Sequence, residues 1–331
     1  MKQLILVSLL AITLAACASQ SPQTYTWNPA PGPYTVAHLD ELKIYDPAQE
    51  RDIPMQVSYP SAGPAAPEGF PVVVFSHGAF CYPEQYRNVT DHWVSHGYAV
   101  IFLDHPDSPN LGKINPKVLF TLLPMRAAEI SFAADSVTTI QEQLPGLAGT
   151  LDGERLAVSG HSFGGMMSEI IMGAPIVSRK GELQDFSDER FMAAVILSGV
   201  GPAPLIDKSE LTEDAFDSIR GPLFASGGTL DTGNVGTPVE YPWEWRMSPY
   251  SLTKPGDKFA LELQNSDHYL GGLICRTDRG GEDDYEGLEI VSTLNTAFLD
   301  AYVKGDSAAL EFLNTADVPA ITDGRAVLKR K

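Results

Sequence analysis

Basic residues are scarce in this 331-residue chain, which has 23 lysines and arginines against 42 aspartates and glutamates. The formal charge of −19 would repel the phosphates of nucleic acids and the headgroups of anionic lipids, so we expect no nucleic-acid partner. The chain also lacks internal repeats. Its length suits one large α/β domain, which we place at residues 36–315, with a C-terminal tail at 316–331.

Long apolar runs are lacking as well. The run at residues 4–16 is broken by Ser8 and Thr13 and is too short for a transmembrane helix. One basic residue before the run and small residues at its end are typical of a secretory signal peptide, which we assign to residues 1–16.

The end of this segment, Leu-Ala-Ala-Cys at residues 14–17, resembles the lipobox of bacterial lipoproteins. The resemblance implies cleavage before Cys17, lipidation of its thiol and, because Ala18 follows, anchoring to the outer membrane. The next residues are rich in Ser, Pro, Gln and Thr, so residues 17–35 are predicted to form a flexible, lipid-anchored tether. The alternative is an ordinary signal peptide followed by an incidental cysteine.

The most informative stretch is residues 155–165, where a short apolar strand runs into Gly-His-Ser-Phe-Gly-Gly and then into a helix. Glycines two residues before and after Ser162 fit the pattern of a nucleophile elbow, since a Cβ at either place would collide with the neighbouring strand or helix. The motif predicts Ser162 as a nucleophile. A glycine-rich turn without catalytic function is the alternative.

Apolar runs separated by helical patterns predict a doubly wound, mostly parallel sheet with helices on both faces. An alternating antiparallel pair at residues 39–45 and 53–59 precedes it. The buried strands are predicted at residues 72–75, 98–103, 156–159, 193–197, 223–226 and 258–263, and the helices at 88–96, 125–144, 166–172 and 293–303. In such sheets, functional sites lie at the carboxyl ends of the strands.

A catalytic serine needs a base to take its proton and an acid to orient that base. His268 is the only histidine after Ser162 and follows the last predicted strand, so it is the expected base. Asp231 follows the strand at 223–226 and a glycine-rich turn, which is the usual position of the acid. The rival candidates for the acid are Asp267, Asp257, Asp207 and Asp214.

A catalytic serine that forms a tetrahedral intermediate also needs two backbone N–H groups for the oxyanion. Phe163, directly after the nucleophile, is expected to supply one of them. The loop after the first buried strand should supply the other. There His77-Gly78 allows a tight turn and Ala79 follows it.

Cysteine is scarce too: apart from Cys17, the chain has only Cys81 and Cys275. Cys81 lies two residues past Ala79, and Cys275 lies seven past His268. Both loops belong on one face of the sheet, so a disulfide would tie the oxyanion loop to the histidine loop. The sequence leaves a bridge and two free thiols equally open.

An aromatic segment follows the expected acid and could line a substrate pocket together with Phe80. The open alternative is that its rings pack the segment onto the sheet. Its aromatic residues are Tyr241, Trp243, Trp245 and Tyr250. The acidic stretch at residues 278–286 lacks the spacing of a calcium-binding loop, so we expect it to be solvated and predict no metal site.

Phe-Ser-His-Gly at residues 75–78, Leu-Asp-His-Pro at 103–106 and the elbow at 160–165 resemble the platelet-activating-factor acetylhydrolase and dienelactone-hydrolase-like branch of α/β hydrolases. The resemblance spans about residues 40–315. It implies the α/β-hydrolase fold and cleavage of carboxylic esters through an acyl-enzyme, without metal or organic cofactor.

Two departures narrow what the resemblance implies. The acetylhydrolase acid would fall at residues 196–199, which contain no carboxylate, and this favours Asp231. Dienelactone hydrolases use a cysteine where this chain has Ser162, so that substrate is not implied. The expected protein is an exported, lipid-anchored serine ester hydrolase. The competing class is a lipoprotein that keeps the fold as a non-catalytic binding or scaffolding module.

Overall fold

The structure is a computed structural model. It describes residues 24–115, 117–205, 207–233, 240–278 and 282–331. The predicted signal peptide and the predicted lipidation site Cys17 lie outside these residues. Within the described ranges the chain forms thirteen strands: β1 (Thr35–Asp46), β2 (Arg51–Ala62), β3 (Phe70–Ser76), β4 (Ala99–Leu103), β5 (Leu151–His161), β6 (Ile176–Val177), β7 (Leu183–Gln184), β8 (Phe191–Leu197), β9 (Ala203–Pro204), β10 (Glu210–Leu211), β11 (Leu223–Gly228), β12 (Lys258–Leu263) and β13 (Ala326–Arg330).

The same ranges contain eight α-helices: α1 (Arg87–Ser95), α2 (Leu122–Asp135), α3 (Val137–Gln141), α4 (Phe163–Ile171), α5 (Ser248–Ser251), α6 (Tyr285–Tyr302), α7 (Ser307–Thr315) and α8 (Val318–Ile321). None of the described helices is both long enough and apolar enough to cross a membrane.

One nine-stranded sheet organises the fold, in the order β1-β2-β4-β3-β5-β8-β11-β12-β13. The six strands from β4 to β12 run parallel, whereas β1, β2 and β13 are antiparallel to their neighbours. Every residue of β3 and β4 is buried, as expected for central parallel strands covered on both faces. The predicted α/β-hydrolase fold is therefore confirmed. A second sheet, β7-β6-β10-β9, consists of two-residue strands.

Alternate residues of the parallel strands point to opposite faces, so the sheet has a hydrophobic core on each side. Val72 and Val74 of β3 pack in one core, which includes residues of α2 and α4. Val73 and Phe75 pack in the other, which includes residues of α1 and α6. These two cores cover both faces of the sheet, and the candidate site lies at the carboxyl ends of its strands.

Three segments differ from the sequence prediction. The helix predicted at 125–144 is divided into α2 and α3 because Ser136 leaves the helical conformation, with φ −95° and ψ 2°. Residues 316–331, predicted as a tail, contribute α8 and the edge strand β13, in which Ala326 and Leu328 are buried. The described part of the predicted tether lies against the domain, where the Tyr25 hydroxyl donates to Asp300 at 3.0 Å.

Candidate active site

Ser162 lies at the turn between β5 and α4, where φ is 54° and ψ is −116°. A side-chain-bearing residue rarely adopts a positive φ, and the surrounding packing holds this one there. A Cβ on Gly160 would lie 2.3 Å from the Gly164 carbonyl, and one on Gly164 would lie 1.9 Å from the Ser76 oxygen. The two glycines thus let β5, α4 and the end of β3 approach closely enough to form the turn.

His268 and Asp231 meet although 37 residues separate them. Asp231 follows β11 and His268 follows β12, and these strands are parallel neighbours. His268 Nδ1 donates to Asp231 Oδ2 at 2.8 Å. This hydrogen bond fixes the tautomer of the neutral ring, so that Nε2 carries the lone pair.

The charges around this pair are balanced by Arg246. Its Nε donates to Asp231 Oδ1 at 3.2 Å, and both side chains are almost fully buried. Burial alone would raise the pKa of Asp231, but the charges of His268 and Arg246 and hydrogen bonds to His268 and Ser198 bring it below its usual value. Burial lowers the pKa of His268 in spite of the Asp231 charge. The imidazole is therefore neutral at pH 7 and able to accept a proton.

The rival carboxylates face other partners. Asp267 accepts the N–H groups of Tyr269 and Gly271, both at 2.9 Å, and Asp257 accepts the Tyr302 hydroxyl. Asp207 accepts from Ser209, and Asp214 lies in the 3₁₀ helix Glu213–Ser218. Asp231 is thus the carboxylate that the structure brings to the ring of His268.

The loop after β3 has two of its N–H groups occupied. Gly78 N–H donates to the Tyr86 hydroxyl at 2.9 Å, and Phe80 N–H donates to Asp107 Oδ2 at 3.0 Å. Between them, Ala79 N–H has no acceptor among the hydrogen bonds of the described residues. On the other side, Phe163 is the first residue of α4, so its N–H has no partner within the helix. Both expected oxyanion donors therefore remain available.

Ser162, His268, Ala79 and Phe163 all line one cavity of about 330 Å³. Apolar side chains from the start of α2 and the segment before it, from α4 and from around β9 contribute much of the remaining wall: Leu119, Leu122, Met166, Val200 and Leu205. Phe80, also predicted for the pocket, lines this cavity and is 48% exposed. A serine, a base and an apolar space are thus in one place.

Among the described residues, the aromatic rings of this segment do not line the cavity, contrary to the pocket prediction for Tyr241, Trp243 and Trp245. The Tyr241 and Trp245 rings stack with centroids 4.2 Å apart. Trp245 Nε1 donates to the Pro202 carbonyl at 3.1 Å. Trp243 and Trp245 pack against the core on one side of the sheet. Such contacts satisfy the indole N–H and bury apolar area, which explains why these rings pack the segment onto the domain.

Two polar groups beneath the site were not singled out from the sequence. The Arg126 guanidinium donates to both carboxylate oxygens of Asp107, at 2.7 Å each, and both side chains are fully buried. The available signals were an arginine on the apolar face of a helix and an aspartate just past the end of β4.

His161, the residue before Ser162, joins the segment that follows β3 to the loop that carries His268. Its Nδ1 accepts from the Tyr86 hydroxyl at 3.1 Å, and its Nε2 donates to the His268 carbonyl at 2.9 Å. This is the pattern of a neutral ring, and burial lowers the pKa of His161 well below its usual value. The same two loops are joined covalently by a disulfide bond between Cys81 and Cys275, whose Cα atoms are 5.2 Å apart.

Part of the chain matches a known protein family. Residues 34–172 match the family model described as Chlorophyllase. The matched part contains Ala79 and Ser162 and ends before Asp231 and His268. No curated protein matches the chain. The fold and the family match together support membership of the α/β-hydrolase superfamily and indicate a hydrolase of that type.

Proposed function

We propose that the protein is a serine hydrolase of carboxylic esters, with Ser162 as nucleophile, His268 as base and Asp231 as the acid. The observation that carries the proposal is the 2.8 Å hydrogen bond from His268 to the buried Asp231, next to a cavity that both His268 and the elbow serine line. The match of residues 34–172 to a hydrolase family supports the same class of reaction.

In the proposed reaction, Ser162 Oγ attacks the ester carbonyl carbon while its proton passes to His268 Nε2. The carbonyl oxygen becomes an oxyanion and is bound by the N–H groups of Ala79 and Phe163. Collapse of this intermediate breaks the bond to the alcohol, which takes the proton from His268. Water then attacks the acyl-enzyme with His268 again as the base. The carboxylic acid leaves and Ser162 is regenerated.

A fluorophosphonate probe tests this assignment, because it reacts only with an activated serine. We expect the wild-type protein to be labelled and Ser162→Ala and His268→Ala not to be. Hydrolysis of p-nitrophenyl acetate should fall by roughly four orders of magnitude or more in both variants. A folded wild-type protein that neither reacts with the probe nor cleaves esters would instead support the non-catalytic module.

The cavity and the family match indicate which classes of ester should be tested as substrates. The apolar wall favours an ester with an apolar acyl group or ring. The name of the matched family makes chlorophyll one candidate ester. A panel of acyl esters of increasing chain length, phospholipids, aromatic polyesters and chlorophyll, compared by kcat/KM, would rank these classes.

We also propose that the protein is exported and anchored to the outer membrane through Cys17, as residues 14–17 suggest. Mass spectrometry of the mature N-terminus should find acyl chains on Cys17, and Cys17→Ser should release the protein from membrane fractions. Cleavage at another position without acylation would support an ordinary signal peptide.

A further inference from the structure

The loop that carries Ala79 depends on two side chains outside the proposed triad. Asp107 and Tyr86 accept the N–H groups of Phe80 and Gly78, the residues on either side of Ala79. Two flanking peptide groups with fixed acceptors leave the intervening one little freedom to rotate. Phe80 also has a φ of 60°, a conformation that such a residue rarely keeps without outside support.

Asp107 is itself held by Arg126. The guanidinium reaches both carboxylate oxygens, and its Nη1 also donates to the His77 carbonyl at 2.6 Å and to Ser76 Oγ at 3.1 Å. One side chain thus connects the end of β3, the oxyanion loop and the segment after β4. The Arg126 charge keeps the pKa of Asp107 below its usual range against the effect of burial. Phe80 N–H therefore donates to a charged carboxylate, which makes a stronger hydrogen bond than a neutral acceptor.

The same arginine contacts the residue that carries the other oxyanion donor. The Arg126 guanidinium carbon lies 4.6 Å from the centre of the Phe163 ring, a distance typical of a cation–π contact. The Arg126 side chain therefore contacts Phe163 directly and the loop of Ala79 through Asp107 and the His77 carbonyl, without being an oxyanion donor itself.

We infer that Asp107 and Tyr86 are positioning residues that hold Ala79 N–H in place for the oxyanion, and that Arg126 fixes Asp107 for this task. The inference rests on the proposed ester-hydrolase function. It assigns a catalytic purpose to buried polar groups that no step of the triad uses. Because an oxyanion forms only during the reaction, such a device acts on the transition state and hardly on substrate binding.

The test uses Asp107→Asn and Tyr86→Phe, which keep the size of each side chain. The first weakens the acceptor for Phe80 N–H, and the second removes the acceptor for Gly78 N–H together with the hydroxyl donor to His161. With p-nitrophenyl acetate we expect kcat to fall by about 10- to 100-fold while KM changes little, because one misplaced donor weakens oxyanion binding alone. Inhibition by phenylboronic acid, which forms a tetrahedral adduct on the serine, should weaken in step with kcat/KM. The acid limb of the pH profile should move little, since neither Asp107 nor Arg126 is among the largest influences on the pKa of His268.

Asp300→Asn is the matched control. Asp300 is a buried carboxylate on α6 that accepts from Tyr25 and Tyr98 and pairs with Lys304, far along the chain from the site. Its replacement should lower the melting temperature and leave kcat and boronate affinity unchanged. If Asp107→Asn behaves like this control, Asp107 is only structural. If Asp107→Asn does not fold, Tyr86→Phe decides, and unchanged kcat and boronate affinity in it overturn the inference.

Wild-type and Ser162→Ala proteins separate this inference from the proposed function. A wild-type protein that hydrolyses the ester, with an inactive Ser162→Ala, establishes the reaction whatever the positioning variants show. In that case normal kcat in both positioning variants refutes the inference alone. A wild-type protein without serine-dependent hydrolysis refutes both.

Discussion

Two buried arginine–aspartate pairs lie at the carboxyl end of the sheet, and they are built differently. Asp107 gives both oxygens to Arg126. Asp231 gives Oδ1 to Arg246 and Oδ2 to His268. In the first pair the arginine binds both carboxylate oxygens, and the pair also binds backbone groups of Phe80 and His77. In the second pair one carboxylate oxygen is left for the imidazole. The same two residue types thus hold a loop in one place and, in the proposed reaction, stabilise the developing positive charge of His268 in the other.

The difference has an electrostatic consequence. Asp231 and Arg246 both act on the pKa of His268, in opposite directions, since the carboxylate raises it and the guanidinium lowers it. The Arg126–Asp107 pair is not among the largest influences on the pKa of His268. Substitutions in the two pairs should therefore give different pH profiles, which allows the comparison to be tested.

Asp231→Asn should have the largest effect. The amide cannot stabilise the imidazolium and can hold the ring in the wrong tautomer, so kcat should drop by about 10⁴-fold. Loss of the charge should also move the midpoint of the acid limb further below its wild-type position, because Asp231 raises the pKa of His268. Steady-state kinetics against pH measures both. Asp257→Asn, a carboxylate bound to Tyr302, serves as control, and a loss of less than tenfold in Asp231→Asn would remove Asp231 from the triad.

The next largest effect is expected from removal of the disulfide between Cys81 and Cys275. This bond joins the part of the molecule that holds the Asp107–Arg126 pair to the part that holds the Asp231–Arg246 pair. The bond closes a loop of 194 residues. Cys81→Ser/Cys275→Ser should therefore lower the free energy of unfolding by about 2–5 kcal/mol. Urea unfolding measures the change. Two reactive thiols in denatured, unreduced wild-type protein would show that the bridge does not form.

Arg246→Gln should have a smaller effect with a diagnostic sign. Without the guanidinium the pKa of His268 rises, so the acid limb moves to higher pH by less than about one unit. This is the reverse of the shift in Asp231→Asn. The pH dependence of kcat/KM gives the result at temperatures where the variant stays folded. Shifts of the same sign in both variants would contradict the electrostatic difference between the two pairs.

The smallest effect is expected at Glu129, which follows Arg126 by three residues on α2. It is buried on α2 and contacts Arg51 and His105. Burial raises the pKa of Glu129 to about 7 despite the Arg51 charge. Because the folded pKa lies above the unfolded one, its contribution to stability is present at low pH and lost as pH rises through about 7. In Glu129→Gln this loss should be absent. The melting temperature of the wild type relative to the variant should therefore fall from about pH 5 to about pH 8. A constant difference would contradict the raised pKa.

Much of the fold could be predicted because continuous apolar runs mark buried parallel strands. The runs at 72–75 and 98–103 are strands β3 and β4 within two residues at each end. Strand β13 was missed because Lys329 and Arg330 interrupt its pattern, and only pairing with β12 makes it a strand. The division between α2 and α3 depends on one residue, Ser136, and the two-residue strands of the second sheet carry no periodicity to detect.

In the candidate site, too, some features could be predicted from the sequence and others could not. The expectation that Ser162, His268 and Asp231 gather at one edge came from chain order and from the direction of parallel strands, both of which sequence reveals. Contacts between side chains on non-adjacent elements do not follow from those rules. Nothing in the sequence says that Arg126 on α2 reaches Asp107, or that Trp245 turns towards Pro202 rather than towards the cavity.

The positive φ of Ser162 sets stability against activity at a single residue. Glycine would adopt this backbone conformation without the steric cost of a Cβ. Selection for heat resistance alone would therefore favour glycine at residue 162. The proposed nucleophile Ser162, in contrast, requires a backbone conformation that a serine disfavours. Directed evolution of this protein for thermostability should consequently screen for the proposed esterase activity in every round, because stability and that activity compete at the turn itself.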